Sequence, residues 1–174
     1  MQMLNLSLMP MQQESLHMPA KELQYLEPSQ SLSPSSAAVA LIIDEDGRYL
    51  VQLRDDMPSI FFPDHWGCFG GAIDNTESPE DAVVRELFEE LTILIDVSRV
   101  SLFTRLSYDA PFIGYGAVDR VYFEVKVANT EINEMVLQEG AKMEVKEGPD
   151  LLTQKMVPFD HFAVWMHYYR LGFK

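Results

Sequence analysis

The segment Gly71–Ile93 constrains this chain more than any other, because it joins a glycine turn to a strongly patterned helix. Ser78 is a favourable N-cap, and Pro79 suits the first helical position. Asp81 follows Ser78 at the spacing of a capping box. Apolar side chains then recur at helical spacing, at Val83, Val84, Leu87 and Leu91. The pattern predicts a helix over residues 78–91 with one face in a core.

The polar side of this helix gathers three carboxylates, Glu86, Glu89 and Glu90, within about one turn. Like charges at this spacing repel each other unless a cation binds them, and carboxylate oxygens are ligands for hard cations such as Mg²⁺ or Mn²⁺. A solvated acidic face is the alternative interpretation. The paired glycines Gly70 and Gly71 favour a metal site, because they let the backbone approach a ligand closely.

The spacing resembles the Nudix hydrolase signature, G-x5-E-x7-R-E-U-x-E-E-x-G-U, in which U is a bulky aliphatic residue. The matching residues are Gly71, Glu77, Arg85, Glu86, Leu87, Glu89, Glu90 and Ile93. Thr92 replaces the final glycine, and a left-handed cap is costly for threonine, so we expect the chain to leave the helix by another route. Phe69 and Thr76 also depart from residues common in relatives, although neither change removes a charged position.

The resemblance implies an α/β (α+β) sandwich, the Nudix fold, with a mixed β-sheet between helices over roughly residues 37–172. It also implies attack of water on a diphosphate phosphorus, assisted by Mg²⁺ or Mn²⁺. The expected metal ligands are Glu86, Glu89 and Glu90, with a backbone carbonyl of Gly70 or Gly71.

Two further residues receive roles. Arg85 is expected to brace the glycine loop against the helix together with Glu77, and we count it with the catalytic residues. The resemblance also implies a glutamate in a loop before the last strand, acting as general base or as a further ligand. Glu139 is the first choice for it, ahead of Glu131, Glu134 and Glu144. The alternatives are a helix carboxylate as the base and an ordinary solvated glutamate at position 139.

Substrate contacts are less well defined by the sequence. Arg54 and Arg120 lie near strand ends, where they could contact phosphates or simply be solvated. Trp66 is a weak candidate for stacking on a base, with ordinary packing as the alternative. The loop from Tyr108 to Tyr115 is a candidate specificity loop or lid.

Three functions therefore remain open. The first is Mg²⁺-dependent hydrolysis of a nucleoside diphosphate joined to another group, such as a nucleotide sugar or ADP-ribose. The second is a nucleoside triphosphate pyrophosphohydrolase. The third, supported by the departures at Phe69, Thr76 and Thr92, is a nucleotide-binding module without turnover.

Composition favours one enzyme domain at residues 37–174, preceded by an arm or tail at residues 1–36. That arm includes a candidate short helix or partner-binding segment at Glu14–Leu26. The net charge of −14 argues against a broad nucleic-acid surface, and no apolar run is long enough for a membrane span. The lone Cys68 suggests a reducing, cytoplasmic setting and is expected to pack rather than react. A homodimer is also expected from the resemblance and the spare arm.

The remaining chain predicts further elements around the signature helix. The expected strands lie at residues 37–43, 48–53, 93–103, 119–128 and 141–146, with a continuation or a second strand at 101–108. Helices are expected at residues 149–154 and 159–171.

Overall fold

The apolar run at residues 37–43 forms the central strand of a mixed β-sheet in the computed structural model, which describes residues 35–110 and 115–170. The strands are β1 (Ala37–Ile43), β2 (Tyr49–Leu53), β3 (Trp66–Gly67), β4 (Phe69–Ala72), β5 (Val100–Ala110), β6 (Tyr115–Lys126) and β7 (Lys142–Lys146). The helices are α1 (Pro79–Leu91), α2 (Asn129–Glu134), α3 (Gly148–Leu151) and α4 (Pro158–Tyr169), with a 3₁₀ turn at Val97–Arg99.

Strand β1 is buried on both faces, which explains its uninterrupted apolar sequence. It pairs in parallel with β6 and antiparallel with β2 and β4. The order across the sheet is β3-β2-β1-β6-β5, and β7 pairs with the outer side of β2. The short strands β3 and β4 pair with β2 and β1 respectively, so the chain crosses between those two strands just before α1.

The sheet separates two apolar clusters, one under each helical layer. On one face, Val83, Leu87 and Leu91 of α1 pack against alternate residues of β1. On the other face, Ala163 and Val164 of α4 pack against the intervening residues of β1. The predicted α/β sandwich, with a mixed sheet between helices, is therefore confirmed.

Most of the predicted elements are present with shifted ends, including a single strand β5 through residues 101–108. The strand expected at residues 93–103 is wrong over its first half. Asp96 caps the 3₁₀ turn by accepting a hydrogen bond from the Ser98 amide, and pairing begins only at Val100. The helix α2 and the short strands β3 and β4 were not predicted, because they are too short to carry a periodic pattern.

Two sets of predictions fall outside the described residues. Nearly all of the arm at residues 1–36, including its candidate helix at Glu14–Leu26, precedes residue 35. The centre of the candidate specificity loop, residues 111–114, lies in the gap between β5 and β6. In the described ranges, no helix has both the length and the apolar character needed to cross a membrane.

Candidate catalytic site

Helix α1 begins as the sequence predicts. The Ser78 hydroxyl oxygen accepts a hydrogen bond from the Asp81 amide at 3.1 Å and donates to Asp81 Oδ2 at 2.6 Å. Pro79 occupies the first turn, where its missing N–H leaves no bond unmade. This fixed start sets the rotation of the helix, so that Leu87 points into the core and Glu86 points toward the glycine strand β4.

The end of α1 differs from the expectation. Thr92 takes the left-handed conformation itself, with φ 56° and ψ 22°, and its amide donates to Phe88 O at 2.9 Å. The expected alternative exit is therefore wrong. The following loop stabilises this ending, because the amides of Val136 and Gln138 donate to the carbonyls of Leu91 and Glu90. Those contacts satisfy carbonyls that a helix end leaves without intrahelical partners.

Replacing Thr92 by glycine should stabilise the chain. Relief of the left-handed conformation gains about 1–2 kcal/mol, offset by about 0.4–1 kcal/mol from the more flexible unfolded chain. We expect a net increase of roughly 0.5–1 kcal/mol in the free energy of unfolding, measured by urea denaturation. Thr92→Ala is the matched control, since alanine keeps the Cβ; an equal gain there would contradict the explanation.

Arg85 links the loop and the helix, as predicted. Its guanidinium donates to Glu77 through Nε and Nη2, at 3.1 and 2.7 Å. Nη1 donates to Glu86 at 2.8 Å and to Glu89 at 3.0 Å. Nη2 also donates to the carbonyl of Ala72 at 2.9 Å. The hydrogen bonds from Arg85 keep the pKa of Glu77 below its ordinary value.

Glu90 is the buried member of the carboxylate group, with 6% of its surface exposed. Gln52 Nε2 donates to its Oε1 at 3.0 Å, and the Gly70 amide donates to its Oε2 at 2.7 Å. Burial raises the pKa of Glu90 to about 7, and the charges of Glu86 and Glu139 push in the same direction. The protein therefore holds a carboxylate where ionisation is unfavourable, which is typical of functional sites.

Gln52 was not predicted as part of the site. It is 3% exposed, and its only sequence signal is a polar residue within the otherwise apolar strand β2. Gln52 donates to Oε1 of Glu90 while the Gly70 amide donates to Oε2, so the two donors together fix the orientation of that carboxylate.

Glu86 lies against Gly71 of β4. A Cβ placed on Gly71 would lie 2.5 Å from Glu86 Oε2, so a larger residue there would displace this carboxylate. Burial raises the pKa of Glu86; hydrogen bonding to Arg85 lowers it, while the charges of Glu89 and Glu139 raise it. The glycine of the signature thus makes room for a side chain rather than only for a turn.

The loop before β7 brings Glu139 to this group. The neighbouring Gly140 has φ +92°, and a Cβ there would lie 2.6 Å from Gln52 Oε1. The Ala141 amide donates to Leu53 O at 2.9 Å, which holds the loop on β2. Since the charge of Glu139 raises the pKa of both Glu86 and Glu90, the four carboxylates Glu86, Glu89, Glu90 and Glu139 share one electrostatic environment.

Two of the other glutamates that could take this role, Glu131 and Glu144, are placed differently. Glu131 forms an ion pair with Arg99 at 2.8 Å, and Glu144 forms ion pairs with Lys142 and Lys146. Neither is among the residues whose charge raises the pKa of Glu86 or Glu90.

The donor set fits a hard divalent cation, although it is not assembled as a finished metal site. Among residues 35–110 and 115–170, no three His, Cys, Asp or Glu side chains stand in a metal-binding arrangement. Arg85 donates to Glu86 and Glu89 instead. Oxygen-only donors, crowded negative charge and the glycine cradle at Gly71 all suit Mg²⁺ or Mn²⁺. A bound cation would compete with Arg85 for the carboxylates of Glu86 and Glu89.

Trp66 lies apart from the carboxylates. It is 8% exposed and belongs to the apolar cluster on the α4 face of the sheet. The ammonium groups of Lys146 and Lys142 lie 4.3 and 5.3 Å from its ring centroid. This environment corresponds to the packing alternative and offers no open ring face to a base.

The side chain of Arg120, from β6, lies against the first turn of α4. Its guanidinium carbon is 5.1 Å from the Phe159 ring centroid, and its Nη1 is 3.9 Å from Asp160 Oδ1. The ring of Tyr108 packs on Phe159 with centroids 4.4 Å apart. The buried Tyr108 hydroxyl has no hydrogen-bond partner among the described residues.

Arg54 adjoins the same region through Gly67. A Cβ at Gly67 would lie 3.7 Å from Arg54 Cδ and 3.2 Å from Asp160 Oδ2, so all three residues meet there. Arg54 Nε donates to Phe61 O at 2.9 Å. We call Arg54, Tyr108, Arg120, Phe159 and Asp160 the α4-end cluster.

Cys68 is packed as expected, and the described histidines also have structural surroundings. The Cys68 amide donates to Asp160 Oδ2 at 2.9 Å, and burial raises the pKa of the thiol well above its ordinary value. His167 Nδ1 lies 2.7 Å from the Tyr49 hydroxyl, and its Nε2 lies 3.1 Å from Glu124 Oε2. His65 and His161 contact backbone carbonyls.

Comparison with known proteins agrees with this geometry. The model of the NUDIX domain family matches residues 33–165. This chain belongs to the Nudix family. The RNA pyrophosphohydrolase of Gluconacetobacter diazotrophicus is 42% identical to this Nudix chain over 55 residues, which are 30% of this chain and 33% of that protein. The chain thus matches about a third of the length of that curated relative.

Solved structures share the fold of this Nudix protein at low identity. A MutT protein from Methanosarcina mazei superposes with a TM-score of 0.64 and 19% identity, over 83% of this chain and 100% of the other. The NUDIX domain of Shewanella oneidensis NrtR, crystallised with ADP ribose, gives a TM-score of 0.61 at 19% identity, over 88% and 99% of the two chains. These likenesses establish the fold. The match to the family model confirms the family expected from the signature.

Proposed function

We propose that this Nudix protein is a Mg²⁺-dependent hydrolase of a diphosphate linkage that joins a nucleoside diphosphate to another group, of the nucleotide-sugar or ADP-ribose type. The observation that carries the proposal is the convergence of Glu86 and Glu90 from α1 with Glu139 from a distant loop. Four carboxylates in one environment, two with raised pKa, are unfavourable for folding alone and suit a bound cation.

In this mechanism Glu86, Glu89 and Glu90 would hold the cation, with a carbonyl of Gly70 or Gly71. Bound Mg²⁺ supplies charge neutralisation at the phosphate oxygens and orientation of the attacking water. Glu139 takes the proton from that water. Arg85 keeps the loop at Ala72 and Glu77 fixed against α1, so that the glycine backbone stays beside the reacting phosphate.

The α4-end cluster is the proposed site for the nucleoside part. This cluster is close to the carboxylates along the chain. Gly67 lies at the cluster and Gly70 at the carboxylates, and the three residue steps between these positions span roughly 10 Å when extended. Tyr108 and Phe159 present aromatic surface, and Arg54 and Arg120 present positive charge. The Tyr108 hydroxyl has no partner within residues 35–110 and 115–170, and a ligand atom would satisfy it. The NrtR domain bound to ADP ribose supports a substrate of this class.

Product identification tests the proposal. The full chain is incubated with Mg²⁺ and nucleotide sugars, ADP-ribose, dinucleotides or nucleoside triphosphates. Nucleoside monophosphate plus a sugar phosphate is the expected result. Monophosphate plus pyrophosphate would instead assign a triphosphate pyrophosphohydrolase, and binding without turnover of any of these compounds would assign a nucleotide-binding module.

Glu139→Gln should lower kcat by about 10²- to 10⁴-fold, the usual contribution of a general base, with a smaller change in KM. Glu134→Gln is the matched control, since this exposed glutamate lies in the same connection between β6 and β7. Steady-state kinetics at saturating Mg²⁺ decide the matter. Equal rates for the Glu139 variant and the native chain would show that Glu139 is not the general base, and the role would then be assigned to a helix carboxylate.

A further inference from the structure

Helix α4 carries an aromatic ridge on its outer side, formed by Phe162, Trp165 and Tyr169. Their exposed fractions are 48%, 43% and 43%, whereas Ala163 and Val164 are fully buried on the opposite side of the helix. The rings of Phe162 and Trp165 are parallel with centroids 6.3 Å apart, and Trp165 and Tyr169 are 5.6 Å apart. A continuous aromatic surface of this kind marks an interaction site.

The chain enters the fold at one end of this ridge. Ala37, the first residue of β1, pairs with Arg120, which lies over Phe159 in the first turn of α4. At the other end of β1, Ile43 pairs with Tyr49, whose hydroxyl contacts His167 in the last turn of α4. Helix α4 therefore runs along β1 in the same direction, and residues that precede Ala37 reach the sheet beside the start of the ridge.

The composition of residues 1–34 is suited to packing on an aromatic surface. Charged residues in this segment are limited to Glu14, Lys21, Glu22 and Glu27, and five of the ten methionines lie in its first 18 positions. Methionine makes favourable contacts with aromatic rings and adapts to irregular surfaces. The remainder of the chain carries a net charge of −12, since the segment itself contributes −2 of the total −14.

The length of the segment also suffices. The ridge from Phe162 to Tyr169 is about 10 Å long at the helical rise. Residues 27–34, fully extended, span up to about 27 Å. The apolar residues that precede them, among them Met9, Met11 and Leu16, are therefore within reach of Trp165.

We propose that the apolar residues of segment 1–34 pack on the aromatic ridge of α4 in the same chain. The segment covers Phe162, Trp165 and Tyr169, on the opposite face of the sheet from α1 and its carboxylates. This docking is independent of the proposed hydrolase activity.

Paramagnetic broadening in the full-length protein tests the docking. Ser7→Cys provides a site for a nitroxide label, and the native Cys68 is buried, so labelling is confined to the new thiol. Amide signals of residues 162–169 should lose intensity to the same extent at low and high protein concentration. A label at Ser98→Cys, an exposed position in the layer of α1, is the control and should leave those signals unchanged.

Two further samples make the outcome decisive. Phe162→Gln with Trp165→Gln should abolish the broadening along α4, whereas Leu94→Gln, an exposed apolar residue in the α1 layer, should not. A third sample mixes two kinds of chain: nitroxide-bearing chains with nitrogen at natural abundance, and ¹⁵N-enriched chains without a nitroxide. The ¹⁵N signals in this mixture should stay sharp. Broadening that appears in this mixture would assign the ridge to a second copy, and broadening absent from α4 in every sample would show that segment 1–34 does not dock there; either result overturns the proposal.

Discussion

Replacing Glu90 by glutamine is expected to remove nearly all Mg²⁺-dependent hydrolysis while stabilising the metal-free chain. Loss of a metal ligand should lower turnover at least about 100-fold, the upper end of the range for outer-shell partners of a metal. Stability should rise because the native chain buries an ionisable carboxylate whose pKa is raised to about 7. The Gly70 amide can still donate to the oxygen of the new side-chain amide. Gln52 can accept from the new NH₂ group once its own amide is turned over, so that its oxygen faces position 90.

The sign of the pH dependence follows from the direction of that shift. The folded-state pKa of Glu90 lies above its ordinary value of 4.5, so the native fold gains from the protonated form. That contribution is complete below pH 4.5 and is lost as the pH rises through about 7. We therefore expect the free energy of unfolding of Glu90→Gln to exceed that of the native chain by roughly 1–3 kcal/mol at pH 8, since each pKa unit corresponds to about 1.4 kcal/mol. The difference should be much smaller at pH 5.

Urea denaturation in the presence of EDTA, at pH 5 and pH 8, measures the difference. Glu89→Gln is the matched variant, because its side chain is 53% exposed and its contact with Arg85 is a surface ion pair. It should lose turnover as Glu90→Gln does, yet leave metal-free stability nearly unchanged at both pH values. Native rates in both variants would contradict the assignment of α1 as the catalytic helix.

Gly70→Ala should be the most destabilising single-atom addition near the site. Gly70 has φ +128°, and an added Cβ would lie 2.2 Å from Ala38 O and 2.8 Å from Val39 Cα in the central strand. The backbone conformation costs about 1–2 kcal/mol, and overpacking adds about 1–3 kcal/mol. We expect a total loss of roughly 2–5 kcal/mol in the free energy of unfolding. Thermal unfolding of the metal-free protein provides the measurement.

Gly47→Ala separates the two contributions. Gly47 also has positive φ, at +82°, but an added Cβ there would meet no atom within 4 Å. The Gly47→Ala variant should therefore lose only the conformational part of the free energy of unfolding, about 1–2 kcal/mol. If the two alanine variants lost the same amount, the close approach of β4 to β1 would have no measurable effect on stability.

The signature helix could be predicted because its determinants are local. Ser78, Pro79 and the apolar spacing specify α1 within its own sequence, and Arg85 lies one helical turn from Glu89. The route of the chain at Thr92 was predicted wrongly, since its conformation depends on hydrogen bonds from the loop at Val136 and Gln138. No local pattern reveals contacts made across more than forty residues.

The same distinction explains what was missed around the carboxylates. Gln52 lies in β2 and bonds to Glu90 only because the sheet places β2 beside the end of α1. The short strands β3 and β4 exist through pairing with β2 and β1, and their glycines give no strand signal. Glu139 was selected from the resemblance, and its catalytic role stays a prediction even though its charge acts on Glu86 and Glu90.

The guanidinium of Arg85 has a consequence for how the proposed cation would be taken up. Because it already neutralises part of the charge of Glu77, Glu86 and Glu89, helix α1 carries its own counter-ion from the moment it folds. Small zinc domains, in contrast, remain unfolded until the ion arrives. A chain with a built-in counter-ion can reach its native state at any magnesium supply, so loading and release of the cation become reversible events on a finished fold.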